Sequence, residues 1–153
     1  MYRFYLSDIP KEKIFLDQKE SRHISKVLRY SVGDTVYLTD GKGSVYQCEI
    51  RSIDKMGCEL KSITVDLQPK NDYNVHIAIA PTKNNNRFEW FLEKAMEIGV
   101  HEITPVICDH SERKTVKLVR YQRVLLSAMK QSLHMHFPKL NDPISFSELM
   151  QTE

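Results

Sequence analysis

The spacing of hydrophobic and polar positions changes about half-way along the chain. In the first part, short apolar runs separated by turns predict strands at residues 3–6, 13–16, 36–39, 44–50 and 58–65. Between the second and third runs, Ile24, Val27 and Leu28 recur at helical spacing and predict a helix over residues 20–30. The turn Asp40-Gly41-Lys42-Gly43 is typical of a hairpin, because both glycines can take a positive φ. Closely spaced strands with one short helix predict a small β-barrel.

After Tyr73 the pattern alternates between strand and helix. An apolar strand at residues 75–80 ends at Pro81, and a second strand follows at residues 102–107. Between them, one helix is predicted, with a cap from residues 84–86 and an end at Gly99. Its apolar face is predicted from residues at helical spacing: Phe88, Phe91, Leu92, Ala95 and Ile98. Such a strand–helix–strand unit should have parallel, buried strands.

A second, longer helix is predicted over residues 115–134. Its apolar side comprises Leu118, Tyr121, Leu125, Ala128, Met129 and Leu133. His134 and His136 fall on different sides of it, and no Cys or carboxylate lies at metal-ligand spacing, so no metal site is expected. Beyond Pro138 the chain offers only residues 143–146 and a few more. Two strands and two helices would leave the second sheet incomplete.

The polar segment 66–73, with one proline, is typical of a linker. We therefore expect a first domain at residues 1–68, a linker at 69–73 and a second domain at 74–153. The 153 residues include no apolar run long enough to cross a bilayer, and the first residues resemble no export signal. Three widely spaced cysteines fit a reducing compartment better than a disulfide framework, which favours the cytoplasm.

Charge is distributed locally, although the formal net charge is only +2. Residues 113–130 contain six cations and no acid, a pattern that favours contact with phosphate over a merely solvated face. Lys83 and Arg87 lie where a helix begins, and there an anion site and a pair of solvated cations are equally plausible interpretations. The residues Arg22, Lys26 and Arg29 form a weaker basic edge. The row Glu89, Glu93 and Glu97 should find cationic partners, either Lys94 or cations from 113–123.

Several short motifs follow one another in a characteristic order. They are Arg3-Phe4-Tyr5, His23-Ile24-Ser25-Lys26-Val27-Leu28-Arg29 with Gly33-Asp34, Asp40-Gly41, Pro81-Thr82-Lys83, Phe88-Glu89-Trp90, Glu93-Lys94-Ala95-Met96-Glu97-Ile98-Gly99-Val100, Ile103-Thr104-Pro105, Ser111-Glu112-Arg113, Gln131-Ser132 and Pro138. In their order and spacing, the chain resembles the N-terminal two-thirds of the ribosomal RNA small subunit methyltransferase E family.

The resemblance implies an α+β chain in which a small PUA-like β-barrel precedes a partial α/β SPOUT domain that lacks its knot. It implies methylation of N3 of a uracil in 16S ribosomal RNA, with S-adenosylmethionine as cofactor. The partner would be that RNA or the small ribosomal subunit, and the full-length protein would be a homodimer. The knotted donor pocket would lie in a missing C-terminal third, so the 153-residue chain alone is expected to be inactive. The alternative is a non-catalytic RNA-binding module.

Arg113 is the expected catalytic residue, stabilising the uracil anion. The residues expected to bind RNA are Arg3, Arg22, Lys26, Arg29, Lys83, Arg87, Lys114, Lys117, Arg120, Arg123 and Gln131. In the second helix the family commonly has Glu and Arg where this chain has Lys130 and His134, so no role is carried over to these two positions. His134 could still donate a hydrogen bond.

Overall fold

The computed structural model describes residues 2–10 and 13–151, and the chain divides into two compact units, Met1–Pro69 and Lys70–Glu153. In its described residues the first unit has five strands: β1 (Arg3–Tyr5), β2 (Ile14–Leu16), β3 (Thr35–Thr39), β4 (Ser44–Ile53) and β5 (Cys58–Leu67). They form one sheet in the order β1-β3-β4-β5-β2, in which only β1 and β3 run parallel. All five predicted strands are confirmed.

The sheet of the first unit curls around an apolar core. Two register shifts between β4 and β5, at Gln47/Cys48 and Ile50/Ser52, bend the long ribbon. Core side chains from several strands are almost fully buried, among them Phe4, Leu16, Leu38, Ile50 and Leu60. The hairpin prediction is confirmed, since Gly41 and Gly43 have φ of 69° and 105°.

The helix of the first unit differs from its prediction. Helix α1 (Gln18–Arg22) begins where Asp17 accepts a hydrogen bond from the Glu20 N–H, and it continues as a π-helical segment, His23–Val27. Arg29 then takes a left-handed φ of 58°, which ends the helix. The wider turn buries Ile24 but leaves Val27 64% exposed, so the prediction of one α-helix over 20–30 is wrong after Arg22.

The second unit contains a parallel sheet with helices between its strands. Its elements are β6 (His76–Ile79), α2 (Asn85–Ile98), β7 (Glu102–Ile107), α3 (Leu118–Ser132), β8 (Lys139–Leu140), β9 (Ile144–Ser145) and α4 (Phe146–Leu149). β7 lies between β6 and β8, and its later part pairs with β9. The predicted parallel strand–helix–strand unit is confirmed in its pairing. β7 is largely buried, but β6 is only half-buried at Ile77 and Ile79 and exposed at His76 and Ala78, so the expectation of buried strands is wrong for β6. The expectation of only two strands is wrong, because two-residue strands such as β8 and β9 are too short to show a pattern.

Helix α2 begins and ends where its sequence predicts. The Asn84 side chain accepts a hydrogen bond from the Asn86 N–H at 2.9 Å, and Gly99 closes the helix with φ of 81°. The buried face includes Phe88, Leu92 and Met96, and Phe88 stacks on Tyr121 of α3 with ring centroids 4.7 Å apart. Ile98 was expected on this face, but it is 75% exposed in the last turn.

Helix α3 is shorter than its prediction at both ends. Lys117 provides no side-chain cap, and β-branched Thr115 and Val116 precede it outside the helix. At the other end Leu133 takes a left-handed φ of 60°. His134 and His136 therefore lie beyond the helix, and the expectation that they occupy two of its sides is wrong.

Candidate nucleic-acid interface

A cleft of about 740 Å³ opens at the carboxyl ends of β6 and β7. In parallel α/β sheets, ligands bind in this position, because the loops after neighbouring strands meet there. One wall is the loop from β6 to α2, the other the loop after β7. The lining residues include Thr82, Lys83, Arg87, His110 and Glu112.

Local hydrogen bonds shape both walls. Thr82 Oγ1 donates to the Asn84 carbonyl at 2.7 Å, which turns the chain into the helix cap. After β7, the Cys108 N–H donates to Ser111 Oγ at 2.9 Å and the Ser111 N–H donates back to the Cys108 carbonyl at 3.0 Å. These bonds close a tight turn at the end of the strand.

Arg113, the expected catalytic residue, joins the two walls. Its guanidinium donates from Nε to the Thr82 carbonyl at 3.2 Å and from Nη2 to the Lys83 carbonyl at 2.7 Å. These bonds use one part of the planar fork and leave its other N–H groups for a ligand. The arrangement places a positive charge beside the cleft and holds the loop after β6 to the loop after β7.

The cations at the cleft differ in their partners. Lys83 Nζ lies 3.2 Å from a Glu112 carboxylate oxygen, but both side chains are well exposed, so this ion pair is weak. Within residues 2–10 and 13–151, Arg87 has no acidic partner. The backbone N–H groups of Asn86 and Arg87 bond to Asn84. These two N–H groups are therefore already used, and an anion at this helix start would be held by side chains.

The two arginines of the basic helix are also unlike each other. Arg120 pairs with Glu89 through two contacts, Nε to Oε1 at 2.6 Å and Nη2 to Oε2 at 3.1 Å, and Glu89 is only 18% exposed. Arg123 is exposed and, as far as the described residues show, has no acidic partner. The prediction that the glutamate row finds partners is confirmed for Glu89 and for Glu97, which pairs with Lys94 at 2.6 Å.

The remaining predicted RNA-binding residues lie in both units. Lys114, Lys117 and Gln131 are exposed in or next to α3, and Arg22, Lys26 and Arg29 are exposed around the π-helical segment. Arg3 differs from all of these, because its side chain lies within the first unit and is 8% exposed. Burial lowers the pKa of Arg3. A guanidinium in this position offers little surface to a phosphate.

Sequence reasoning gave no role to two features of this region. His110 lines the cleft, and Trp90 lies on the outer face of α2 with Asn86 and Arg87 beside it. The signal for Trp90 was present, because it stands two positions from both Phe88 and Leu92 and so faces away from the core.

Two family models match the chain. One, described as an RNA methyltransferase domain, matches residues 69–153, and the other, described as an RNA methyltransferase PUA domain, matches residues 16–61. The chain therefore belongs to the RNA methyltransferase family.

Particular relatives agree with the resemblance in the sequence. A ribosomal RNA small subunit methyltransferase E from Mesomycoplasma hyopneumoniae is 26% identical over 99% of this chain and 66% of its own length. The crystal structure of a probable rRNA-methyltransferase from Porphyromonas gingivalis is 38% identical, with a TM-score of 0.90, over 98% of this chain and 63% of that one. A ribosomal RNA small subunit methyltransferase E from Neisseria gonorrhoeae, bound to S-adenosyl methionine, is 28% identical, with a TM-score of 0.85, over 100% of this chain and 65% of that one.

The resemblance to the ribosomal RNA small subunit methyltransferase E family and the expected fold class are confirmed by these matches. The chain spans just under two thirds of the length of these relatives. None of the helices in the described part of the chain is long and apolar enough to cross a membrane.

Proposed function

We propose that this chain supplies the RNA-holding surface and the first part of the methyltransferase domain of an enzyme that methylates N3 of a uracil in 16S ribosomal RNA. The methyl donor is S-adenosylmethionine, as in the Neisseria gonorrhoeae relative whose structure holds it. The partner is that RNA or the small ribosomal subunit, in the cytoplasm, and the full-length protein acts as a homodimer. Residues 1–68 form the RNA-binding PUA-like domain, residues 69–73 are the linker, and residues 74–153 belong to the methyltransferase domain.

One observation carries the proposal: many exposed cations have no acidic partner in the described residues. They are Arg22, Lys26, Arg29, Arg87, Lys114, Lys117 and Arg123. Unneutralised cations attract the phosphates of RNA and release the counterions that surround them. Lys83, Arg120 and Gln131 remain among the proposed RNA-binding residues of the second unit, with the first two already held by ion pairs.

The chemistry of the target explains why positioning and cations are needed. Uracil N3–H is a weak acid, so its proton must leave before the nitrogen can attack a methyl group. Within a duplex this nitrogen is paired, and the base must therefore be unpaired or flipped out. We assign to Arg113 the stabilisation of the uracil anion. It would use the N–H groups that do not bond to the carbonyls of Thr82 and Lys83.

The cleft itself does not fit the methyl donor. A cofactor site needs concave, largely preformed walls, whereas this cleft is open and is walled by two loops of one strand–helix–strand unit. We therefore expect that the 153-residue chain neither binds S-adenosylmethionine nor methylates RNA, whereas a chain extended to the length of its relatives does both. Isothermal titration and a methylation assay on the two chains test this. Micromolar donor binding by the short chain would contradict it, and an extended chain that binds RNA without methylating it would support a non-catalytic module.

RNA binding is tested with two arginines of one helix face. Arg123→Gln should weaken binding to structured RNA of any sequence and should reduce the slope of log affinity against log salt by about 0.7–0.9, the effect of one phosphate contact. Arg120→Gln is the matched comparison, because it also breaks the pair with Glu89 and should lower the melting temperature. Binding that does not depend on salt, or that neither variant changes, would refute the proposed surface.

A further inference from the structure

Trp90 is the only tryptophan of the chain and is 61% exposed on helix α2. Its neighbours two positions away, Phe88 and Leu92, are buried on the opposite face. A single exposed apolar side chain is common at protein surfaces. A tryptophan at the centre of a polar helix face is less common, because its indole offers the largest aromatic surface of any side chain.

The surroundings of Trp90 distinguish it from an isolated surface residue. A shallow depression of about 440 Å³ is lined by Asn86, Arg87, Trp90 and Phe91. Arg87 also lines the cleft at the ends of β6 and β7. The aromatic depression and the cationic cleft thus share one side chain, and a ligand could occupy both.

The spacing along α2 suits one nucleotide. Arg87 and Trp90 are three positions apart, which is about 4.5 Å along a helix axis and puts the two side chains next to each other. The Arg87 side chain is long and flexible, so its guanidinium can reach the phosphate of a nucleotide whose base lies on the Trp90 indole. Asn86, on the same face, has an amide that can donate to and accept from a base edge.

The charges along α2 determine how a nucleic-acid strand would lie on it. Lys83 and Arg87 precede Trp90, whereas Glu93 and Glu97 follow it on the exposed face, with Glu97 paired to Lys94. A polyanion is attracted to the first side and repelled from the second. A nucleic-acid strand would therefore place its phosphate towards Arg87 and cross the helix at Trp90 rather than follow it.

We propose that Arg87 and Trp90 form a subsite for one unpaired nucleotide of the RNA, with its base stacked on the Trp90 indole and its phosphate on the Arg87 guanidinium. The inference rests on the proposed function, since it assumes that the chain binds RNA. Stacking suits single-stranded RNA, because the face of a base is exposed only when the base leaves the duplex. A site of this kind would hold an unstacked base close to the cleft.

The single tryptophan makes the test direct. Fluorescence excited at the red edge of the absorption band, where the seven tyrosines do not absorb, reports on Trp90 alone, so a short single-stranded oligouridylate should quench it with saturation. A duplex RNA of equal length and inorganic polyphosphate supply phosphate without an accessible base, and they should leave the emission largely unchanged. Quenching of equal size by polyphosphate would overturn the stacking assignment.

Variants then separate the base contact from the phosphate contact. Trp90→Leu should weaken binding of labelled oligouridylate roughly tenfold, as for the loss of one stacked base, and should affect the duplex little. Trp90→Phe keeps an aromatic ring and should recover part of the loss. Arg87→Gln should lower affinity and reduce the salt slope by about 0.7 while leaving the quenching at saturation in place. Glu93→Gln is the matched control and should not weaken binding.

The possible results separate a failure of this subsite from a failure of the proposed function. Salt-dependent RNA binding with unchanged emission, and equal affinity in Trp90→Leu, would overturn the subsite and leave the proposed function intact. Failure of every variant and of the unaltered chain to bind RNA would refute both. Emission that changes with protein concentration in the absence of RNA, together with self-association lost in Trp90→Leu, would show a contact between copies of the chain and would overturn the subsite.

Discussion

The Nε2–H of His134 donates a hydrogen bond of 2.8 Å to the backbone carbonyl oxygen of Glu97, in the last turn of α2. The last carbonyls of a helix have no partner within the helix, and this bond satisfies one of them. The imidazole also lies against Gly99, the residue that ends α2. The sequence suggested that His134 could still donate a hydrogen bond. The structure contains such a bond, and its acceptor is a backbone carbonyl oxygen.

Loss of the His134 side chain should destabilise the second unit. His134→Ala removes the donor, and we expect the free energy of unfolding to fall by about 1 kcal/mol, the usual net contribution of one hydrogen bond. Urea denaturation followed by the helical circular dichroism signal measures it. His134→Gln can still donate to the Glu97 carbonyl and should recover part of the stability. A variant that is as stable as the unaltered chain would show that water replaces the imidazole at no cost.

Gly99 should tolerate no side chain, for two separable reasons. Its φ of 81° costs an alanine roughly 1–2 kcal/mol, and a Cβ there would lie 3.3 Å from the Cε1 atom of His134. Gly99→Ala should therefore be destabilising, and less so in a His134→Ala background, where only the backbone cost remains. A double-mutant cycle by urea denaturation gives the difference. Equal costs in both backgrounds would mean that the ring moves aside freely.

Low pH should weaken the interaction between β7 and β8, because it protonates the Glu102 carboxylate that links them. Its Oε1 accepts from Asn141 Nδ2 at 2.6 Å and from Lys139 Nζ at 3.0 Å, and these bonds lower the pKa of Glu102. A carboxyl with a lowered pKa stabilises the fold above its unfolded value of about 4.3, and this stability is lost as the pH falls through the lower folded pKa. Unfolding followed between pH 7 and acid should therefore show a steeper loss for the unaltered chain than for Glu102→Gln. Asn141→Ala, which removes the first of the two donors, should move that loss to higher pH.

The three cysteines should differ in reactivity towards an alkylating agent. Burial raises the pKa of Cys48 to about 12 and that of Cys58 to about 11, while Cys108 lies partly exposed at the edge of the cleft. The thiolate is the reactive form, so the first two should stay unmodified at neutral pH as long as the chain is folded. Mass spectrometry after brief labelling should find one adduct, on Cys108. Early labelling of Cys48 would indicate that the first unit opens readily.

Prediction from the sequence succeeded where a local residue type fixes the backbone. Asn84 and Gly99 define α2 because an amide cap and a left-handed glycine are local requirements. The apolar runs of β3, β4 and the start of β5 were recognisable because these residues face the buried core. The π-helical segment was missed because Ile24, Val27 and Leu28 fit α-helical spacing equally well. The two-residue strands β8 and β9 form by pairing with β7. A run of two residues is too short to predict such a strand from the sequence.

The candidate site was predictable to a similar degree. The pair of Glu89 with Arg120 followed from like charges that needed partners. The contacts of Arg113 did not, because its acceptors are backbone carbonyls, and every residue has one. Arg120 and Arg123 lie three positions apart on one helix and look alike in the sequence. The fold brings the Glu89 carboxylate to Arg120, whereas Arg123 has no acidic partner in the described residues.

The bonds from Arg113 to the carbonyls of Thr82 and Lys83 have a consequence for the energetics of recognition. Arg113 ties together two loops that are also joined by the exposed Lys83–Glu112 ion pair, so their conformational entropy is already reduced before any ligand arrives. A ligand that contacts both loops then orders little further chain, and more of its contact energy is expressed as affinity. Arg113 therefore makes binding tighter even for a ligand that it never touches.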